Sequence, residues 1–216
     1  ASQGHVIMDV AYRLFPETDI EGMVADARRA VAWMKEHAAE YGIDPERIVL
    51  GGASAGGHIA LLAAYAPARP AWSPEDLAGR DTRVRGVVSL YGPVDLPATY
   101  AHTNQHATTR DYRPAESPQD FLLPAEQVEA LRTFLGERVE RLGLHKRPQA
   151  GDFFHLLGGH PEQVAERYAR LSPLTHARLD SPPTLLVQGE DDLITPVTAT
   201  MGLARKLGQL GVPVVN

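Results

Sequence analysis

Apolar and polar positions along the chain change rhythm several times, and each change predicts an element. HVIMDVAY (residues 5–12) is apolar and β-branched, which predicts a buried strand, and Pro16 cannot continue a central ladder. From Ile20 the period lengthens. Ile20, Val24, Ala27, Val31, Met34, Ala38 and Tyr41 form one face of a long amphipathic helix, with Gly42 as its stop. IDPER is a turn, RIVLG a second buried strand, and residues 56–65 a helix. VRGVVSLYG (residues 84–92) and PTLLVQG (residues 183–189) predict two more strands. Thr195 and Pro196 read as an N-cap and a first-turn proline. The helix they open turns Val197, Met201, Ala204, Leu207 and Leu210 inward, and VPVVN reads as a last strand.

Strands alternating with helices predict an α/β domain, a mostly parallel sheet covered on both faces. The rhythm is lost between Pro93 and Leu171, where histidines and prolines surround one helical stretch (residues 124–142) and a shorter helix opened by Pro161. Residues 93–171 are expected to form a helical insertion, a lid or cap, within a single domain spanning 1–216.

Composition narrows this picture. The net charge of -6 and the lack of a basic stripe give no reason to expect a nucleic-acid partner. The chain has no cysteine, which excludes thiolate nucleophiles, thiolate metal sites and disulfides. No apolar run is long enough to span a bilayer, and residues 1–10 do not read as a signal peptide. No compartment follows from this.

The chemistry gathers on one stretch. Gly52-Ala53-Ser54-Ala55-Gly56 matches G-x-S-x-G, with a predicted strand before it and a helix after it. A turn that sharp strains the serine backbone, and Gly52 and Gly56 are expected to remove Cβ atoms that would clash. Ser54 is then lifted above the sheet edge as a nucleophile, and the N–H of Ala55 is placed to donate to an oxyanion. A serine needs a base, and the base an orienting acid. LLVQGEDDLITP offers Asp191 and Asp192 in the loop after a strand, and either could face the site.

With these residues in hand, the chain resembles the α/β-hydrolase-fold carboxylesterases, in the group of hormone-sensitive-lipase-like and feruloyl- or acetyl-esterase-like enzymes. YRLFPE (residues 12–17), GGASAGGH (51–58), GGHPEQVAERYARLSPLTHA (158–177) and PPTLLVQGEDDLITP (182–196) carry the resemblance in the family's order. It implies a three-layer α/β-hydrolase fold and a Ser-His-Asp triad needing no cofactor or metal. It also implies a small-molecule ester as substrate, and Asp192, three residues after Gly189, as the acid rather than Asp191.

Two family features are not found. No H-G-G-G-type oxyanion loop precedes YRLFPE, and no histidine follows Asp192. The chain is therefore expected to be incomplete at both ends, inactive by itself, and lacking the strand that lies between residues 5–12 and RIVLG in the family's sheet. That leaves either a gap or direct pairing of those two segments. The nine histidines offer weaker candidates. His58 reads as structural. His102 and His106 would suit a metal only if helical, and their surroundings read as loop. His155, His160 and His176 read as pocket or surface residues. Phe121, Leu122, Leu123, Phe153, Phe154, Leu156 and Leu157 would line an acyl pocket or form a satellite core. The function expected is a serine esterase working through an acyl-enzyme, the alternative a non-catalytic binding protein of the same fold.

Overall fold

The computed structural model describes residues 4–70, 72–107, 125–136 and 156–216. Its strands are β1 (Val49–Ala53), β2 (Gly86–Leu90), β3 (Thr184–Val187) and β4 (Val214–Val215). The described helices are α1 (Ile20–Glu36), α2 (Ala38–Tyr41), α3 (Ala55–Tyr65), α4 (Leu96–Ala107), α5 (Ala125–Leu135), α6 (Ala165–Arg170), α7 (Pro173–His176) and α8 (Val197–Gln209). All four strands run parallel in the order β1-β2-β3-β4.

Register decides which side chains share a face. Leu50, Val87, Thr184 and Val214 form one row, and Gly52, Ser89 and Leu186 the row two residues on. Against this face pack Ala60, Leu61 and Tyr65 of α3 with Ala199, Leu203 and Leu207 of α8. The other flank of α3 gives Ile59, Leu62 and Ala63 to a second cluster, with Ile20, Val24 and Ala27 of α1 and Leu157, Tyr168 and Leu171. A helix packed on both flanks has to be apolar all round, as α3 is. Buried Arg28 on α1 ties the end of α3 to the chain beyond it. Its guanidinium donates to the carbonyls of Ala63, Ala66 and Trp72 and to Ser73 Oγ.

The expected coverage of both faces is met on this face. On the other, Val49, Leu185, Val187 and Val215 are 56%, 38%, 46% and 66% exposed.

Several expectations are corrected. Residues 5–12 form no strand, and Ile7 is 81% exposed. A cleft of about 460 Å³ separates this segment from β1, lined by Val6, Ile7, Tyr12, Val31, Leu50, Gly56 and Ile59 among others. Direct pairing of residues 5–12 with β1, one of the two arrangements foreseen, does not occur. An apolar run becomes a strand only where a ladder partner stands beside it. The long helix breaks at His37, whose ring stacks on Trp33 and whose N–H donates to the Trp33 carbonyl. Tyr41 is accordingly exposed. The segment after Asp95, read as loop, is α4. Pro196 rather than Thr195 occupies the N-cap of α8, and the Thr195 hydroxyl instead faces the Tyr91 carbonyl. The buried face of α8 is Ala199, Thr200, Leu203 and Leu207, leaving Met201 outside. The shorter helix begins at Ala165, four residues after Pro161. Leu157 belongs to the main core, with Leu156 against it. Phe121, Leu122, Leu123, Phe153 and Phe154 lie outside the described residues.

Candidate active site

The site stands at the carboxyl ends of three neighbouring strands. Ser54 follows β1, Tyr91 follows β2, and the loop carrying Asp191 and Asp192 follows β3. Backbone bonds lock these ends together. Ser54 N–H donates to the Leu90 carbonyl at 2.9 Å, and Tyr91 N–H to the Val187 carbonyl at 2.6 Å.

Ser54 has φ 52 and ψ -122, left-handed backbone that a side-chain-bearing residue seldom adopts. The strain follows from turning a strand into a helix in one residue. Its carbonyl already accepts from His58 N–H, so it opens α3, yet its hydroxyl caps no helical N–H and the residue is exposed. Ala55 is the first residue of α3, where backbone N–H groups have no intrahelical acceptor and the helix dipole is positive. An oxyanion forming beside Ser54 would meet both.

The glycines divide differently than expected. A Cβ on Gly52 would overlap the Gly56 carbonyl group, as foreseen, whereas one on Gly56 would meet open space. The second close approach is at Gly57, where a Cβ would come within 2.7 Å of Ser89 Oγ and 2.9 Å of the Gly52 carbonyl. Gly92 makes a third, 2.8 Å from the backbone of Gly57 and of His58. Gly56 points outward instead, into the cleft beside β1. Tyr91 also has positive φ, 45, in the turn that brings Gly92 against α3. The Tyr-Gly pair directly after an apolar strand was the available signal for it.

The two aspartates are not equivalent. Asp192 Oδ1 accepts from the N–H groups of Ile194 and Thr195 at 2.8 and 2.9 Å, and Oδ2 from Gln188 Nε2 at 2.8 Å. Asp191 is exposed and takes part in no hydrogen bond or ion pair with the described residues. The Asp192 carboxylate is thus held in one orientation, and no described residue holds the Asp191 carboxylate.

Among the described residues no histidine bonds the Asp192 carboxylate. His58 is buried, with Nδ1 2.7 Å from the Pro93 carbonyl and Nε2 unpartnered. Burial lowers its pKa to about 4, so it is neutral at pH 7 and serves packing behind the elbow. His102 lies on α4 with Nε2 2.8 Å from the Asp192 backbone carbonyl. His106 shares that helix, so the pair is helical after all, but its side chain lies outside the described residues, as does His155. His160 meets Tyr100, and His176 meets the Arg170 carbonyl with Trp72 edge-on. Desolvation lowers the His176 pKa too. No cluster of metal-ligating side chains occurs among the described residues.

Comparison with known proteins identifies the family. Residues 1–135 match the family model described as BD-FAE. The chain is 29% identical over 210 residues to the probable carboxylic ester hydrolase LipM of Mycobacterium tuberculosis, covering 97% of this chain and 39% of LipM. It is 26% identical over 213 residues to esterase LipQ of the same organism, covering 99% of this chain and 40% of LipQ. It therefore spans about two fifths of the length of these relatives. Among solved structures, a thermophilic esterase of Thermogutta terrifontis with butyrate bound superposes at a TM-score of 0.58 and 23% identity. That match covers 94% of this chain and 57% of the other, a likeness of fold.

Proposed function

The chain belongs to the BD-FAE family, within the α/β-hydrolase-fold carboxylesterases, and from that premise we propose that it carries the nucleophile and the acid of a serine hydrolase of carboxylic esters. The observation that carries the reading is Ser54. Its backbone is strained, the residue is exposed with no hydroxyl partner among the described residues, and it stands at the N-terminus of α3, at the same carboxyl end of the sheet as the Asp192 loop. A glycine-rich turn with an idle serine would have no use for that strain. The relatives named as esterases favour chemistry over binding alone.

In this reading Ser54 Oγ attacks the ester carbonyl carbon while an imidazole, oriented by Asp192, accepts the hydroxyl proton. Negative charge gathers on the carbonyl oxygen. It is met by the Ala55 N–H and the positive end of α3, donors already in place before reaction. The tetrahedral species collapses, the alkoxide leaves with the proton, and an acyl group stays on Ser54. Water, deprotonated by the same imidazole, then releases the acid. No cofactor enters.

The test is labelling of the encoded protein with a fluorophosphonate probe, followed by mapping of the adduct. A single adduct on Ser54, lost in Ser54→Ala together with ester hydrolysis, is the expected result. Hydrolysis undiminished in Ser54→Ala would overturn the reading.

A further inference from the structure

We propose that His102 is a positioning residue for the acid, holding the loop that presents Asp192 from the side of α4; the proposal rests on Asp192 being that acid. The Asp192 carboxylate is oriented by the N–H groups of Ile194 and Thr195 on one oxygen and by Gln188 Nε2 on the other, so two of its three bonds are only as fixed as the peptide planes of its own loop. Two of that loop's carbonyls are taken by consecutive residues of α4. His102 Nε2 lies 2.8 Å from the Asp192 carbonyl, and Thr103 Oγ1 3.0 Å from the Ile194 carbonyl.

The two contacts are unequal. The hydroxyl of Thr103 has one proton and also faces the Thr99 carbonyl at 2.8 Å, so that proton is shared. The imidazole donates from Nε2 directly to the Asp192 carbonyl. Because Nε2 carries hydrogen in this contact, it donates whether the ring is neutral or cationic.

The platform is rigid. Asp95 Oδ1 caps α4 at the Ala98 N–H, Ser172 Oγ accepts from Leu96 N–H, and Leu96 and Thr99 are buried. Rotation of the peptide between Asp192 and Leu193, which would carry the Ile194 N–H away from Oδ1, is what the histidine prevents. The aspartate is therefore clamped twice: at its carboxylate from within the loop, and at its backbone from a different element.

The test compares His102→Ala and His102→Gln in the encoded protein, with a short p-nitrophenyl ester and with amide hydrogen exchange. His102→Ala is expected to lower kcat about tenfold with KM little changed, the effect of one lost hydrogen bond felt only when the acid must be in place. Exchange at the Ile194 and Thr195 amides should quicken, while Val87 and Val88 in β2 stay protected. His102→Gln, whose amide reaches the same carbonyl, should restore most of both. Unchanged kcat in His102→Ala, or a loss that His102→Gln does not repair, overturns the proposal. If Ser54→Ala keeps its activity, the hydrolase reading is what fails. The exchange measurement needs no turnover and still reports on the clamp.

Discussion

Gly52, Gly57 and Gly92 converge with Ser89 behind Ser54, and their missing Cβ atoms let three backbones approach. The motif made Gly52 and Ser54 legible from sequence alone. It misassigned Gly56, because spacing cannot say which glycine points at backbone and which at open space. Asp191 and Asp192 show a similar limit: two identical side chains in one loop, separated only by which one the following amides meet. That difference carries a prediction. In Asp192→Asn the new NH₂ must face either the backbone N–H donors of Ile194 and Thr195 or the Gln188 amide donor, so the side chain turns or the loop opens. It also loses the charge that steadies an imidazolium. Asp192→Asn in the encoded protein is expected to lower kcat by about 10⁴, the loss seen when a well-studied serine protease was changed in the same way. Asp191→Asn, at an exposed carboxylate without a partner among the described residues, should remain near wild type. Steady-state kinetics of the two variants checks the choice, and a crippled Asp191→Asn beside a healthy Asp192→Asn would reverse it.

Elements were legible where packing and pattern agree. β2 and α3 are apolar runs packed between other elements, so burial repeats what the pattern says, whereas β1 and β3 keep their strands with one face left exposed. α4 was missed because its residues are mostly polar or small, with Pro97 near the start. What makes it a helix lies elsewhere in the chain, in the Asp95 cap and the Ser172 hydroxyl that meets Leu96. The strand expected at residues 5–12 fails for the opposite reason, a good pattern with no ladder partner beside it. Arg28 shows how one side chain can finish an element. The last carbonyls of a helix have no intrahelical donor, and at α3 those of Ala63 and Ala66 are met by this guanidinium. Burial without a carboxylate lowers its pKa to about 10, which leaves it charged at neutral pH. Arg28→Met would remove the donors and leave buried carbonyls behind, each costing about 1–3 kcal/mol if unsatisfied. A loss of about 3 kcal/mol or more in urea unfolding is expected. Arg28→Lys should fall between, since one ammonium cannot span acceptors that a planar fork reaches together. An Arg28→Met variant as stable as wild type would show that water or a rearranged loop serves those carbonyls equally well.

At the scale of the whole molecule the sheet is covered unevenly. Val87 and Leu186 are sealed beneath α3 and α8, while Val49, Leu185, Val187 and Val215 on the reverse face are more than a third exposed. Parallel strands are ordinarily covered on both faces, and apolar surface left in water costs about 25 cal/mol for each Å². Leu185, Val187 and Val215 lie near one another because the parallel register brings Leu185 beside Val215, with Val187 two residues along the same strand. A contiguous patch of this kind is detectable without knowing what would cover it. The 216-residue polypeptide, prepared by itself, is expected to bind a hydrophobic-surface dye under native conditions. Paired substitution Leu185→Lys and Val187→Lys should remove most of that signal. Neither side chain is part of the buried clusters, so the cost in stability should stay near 0.5 kcal/mol for each, the usual range for surface changes. The cleft between residues 5–12 and β1 is the competing dye site, and Ile7→Lys tests it separately, since Ile7 is almost wholly exposed at its rim. If the double lysine variant binds dye as before and Ile7→Lys does not, the cleft beside β1 is the apolar surface that matters, and the open sheet face is quiet in water.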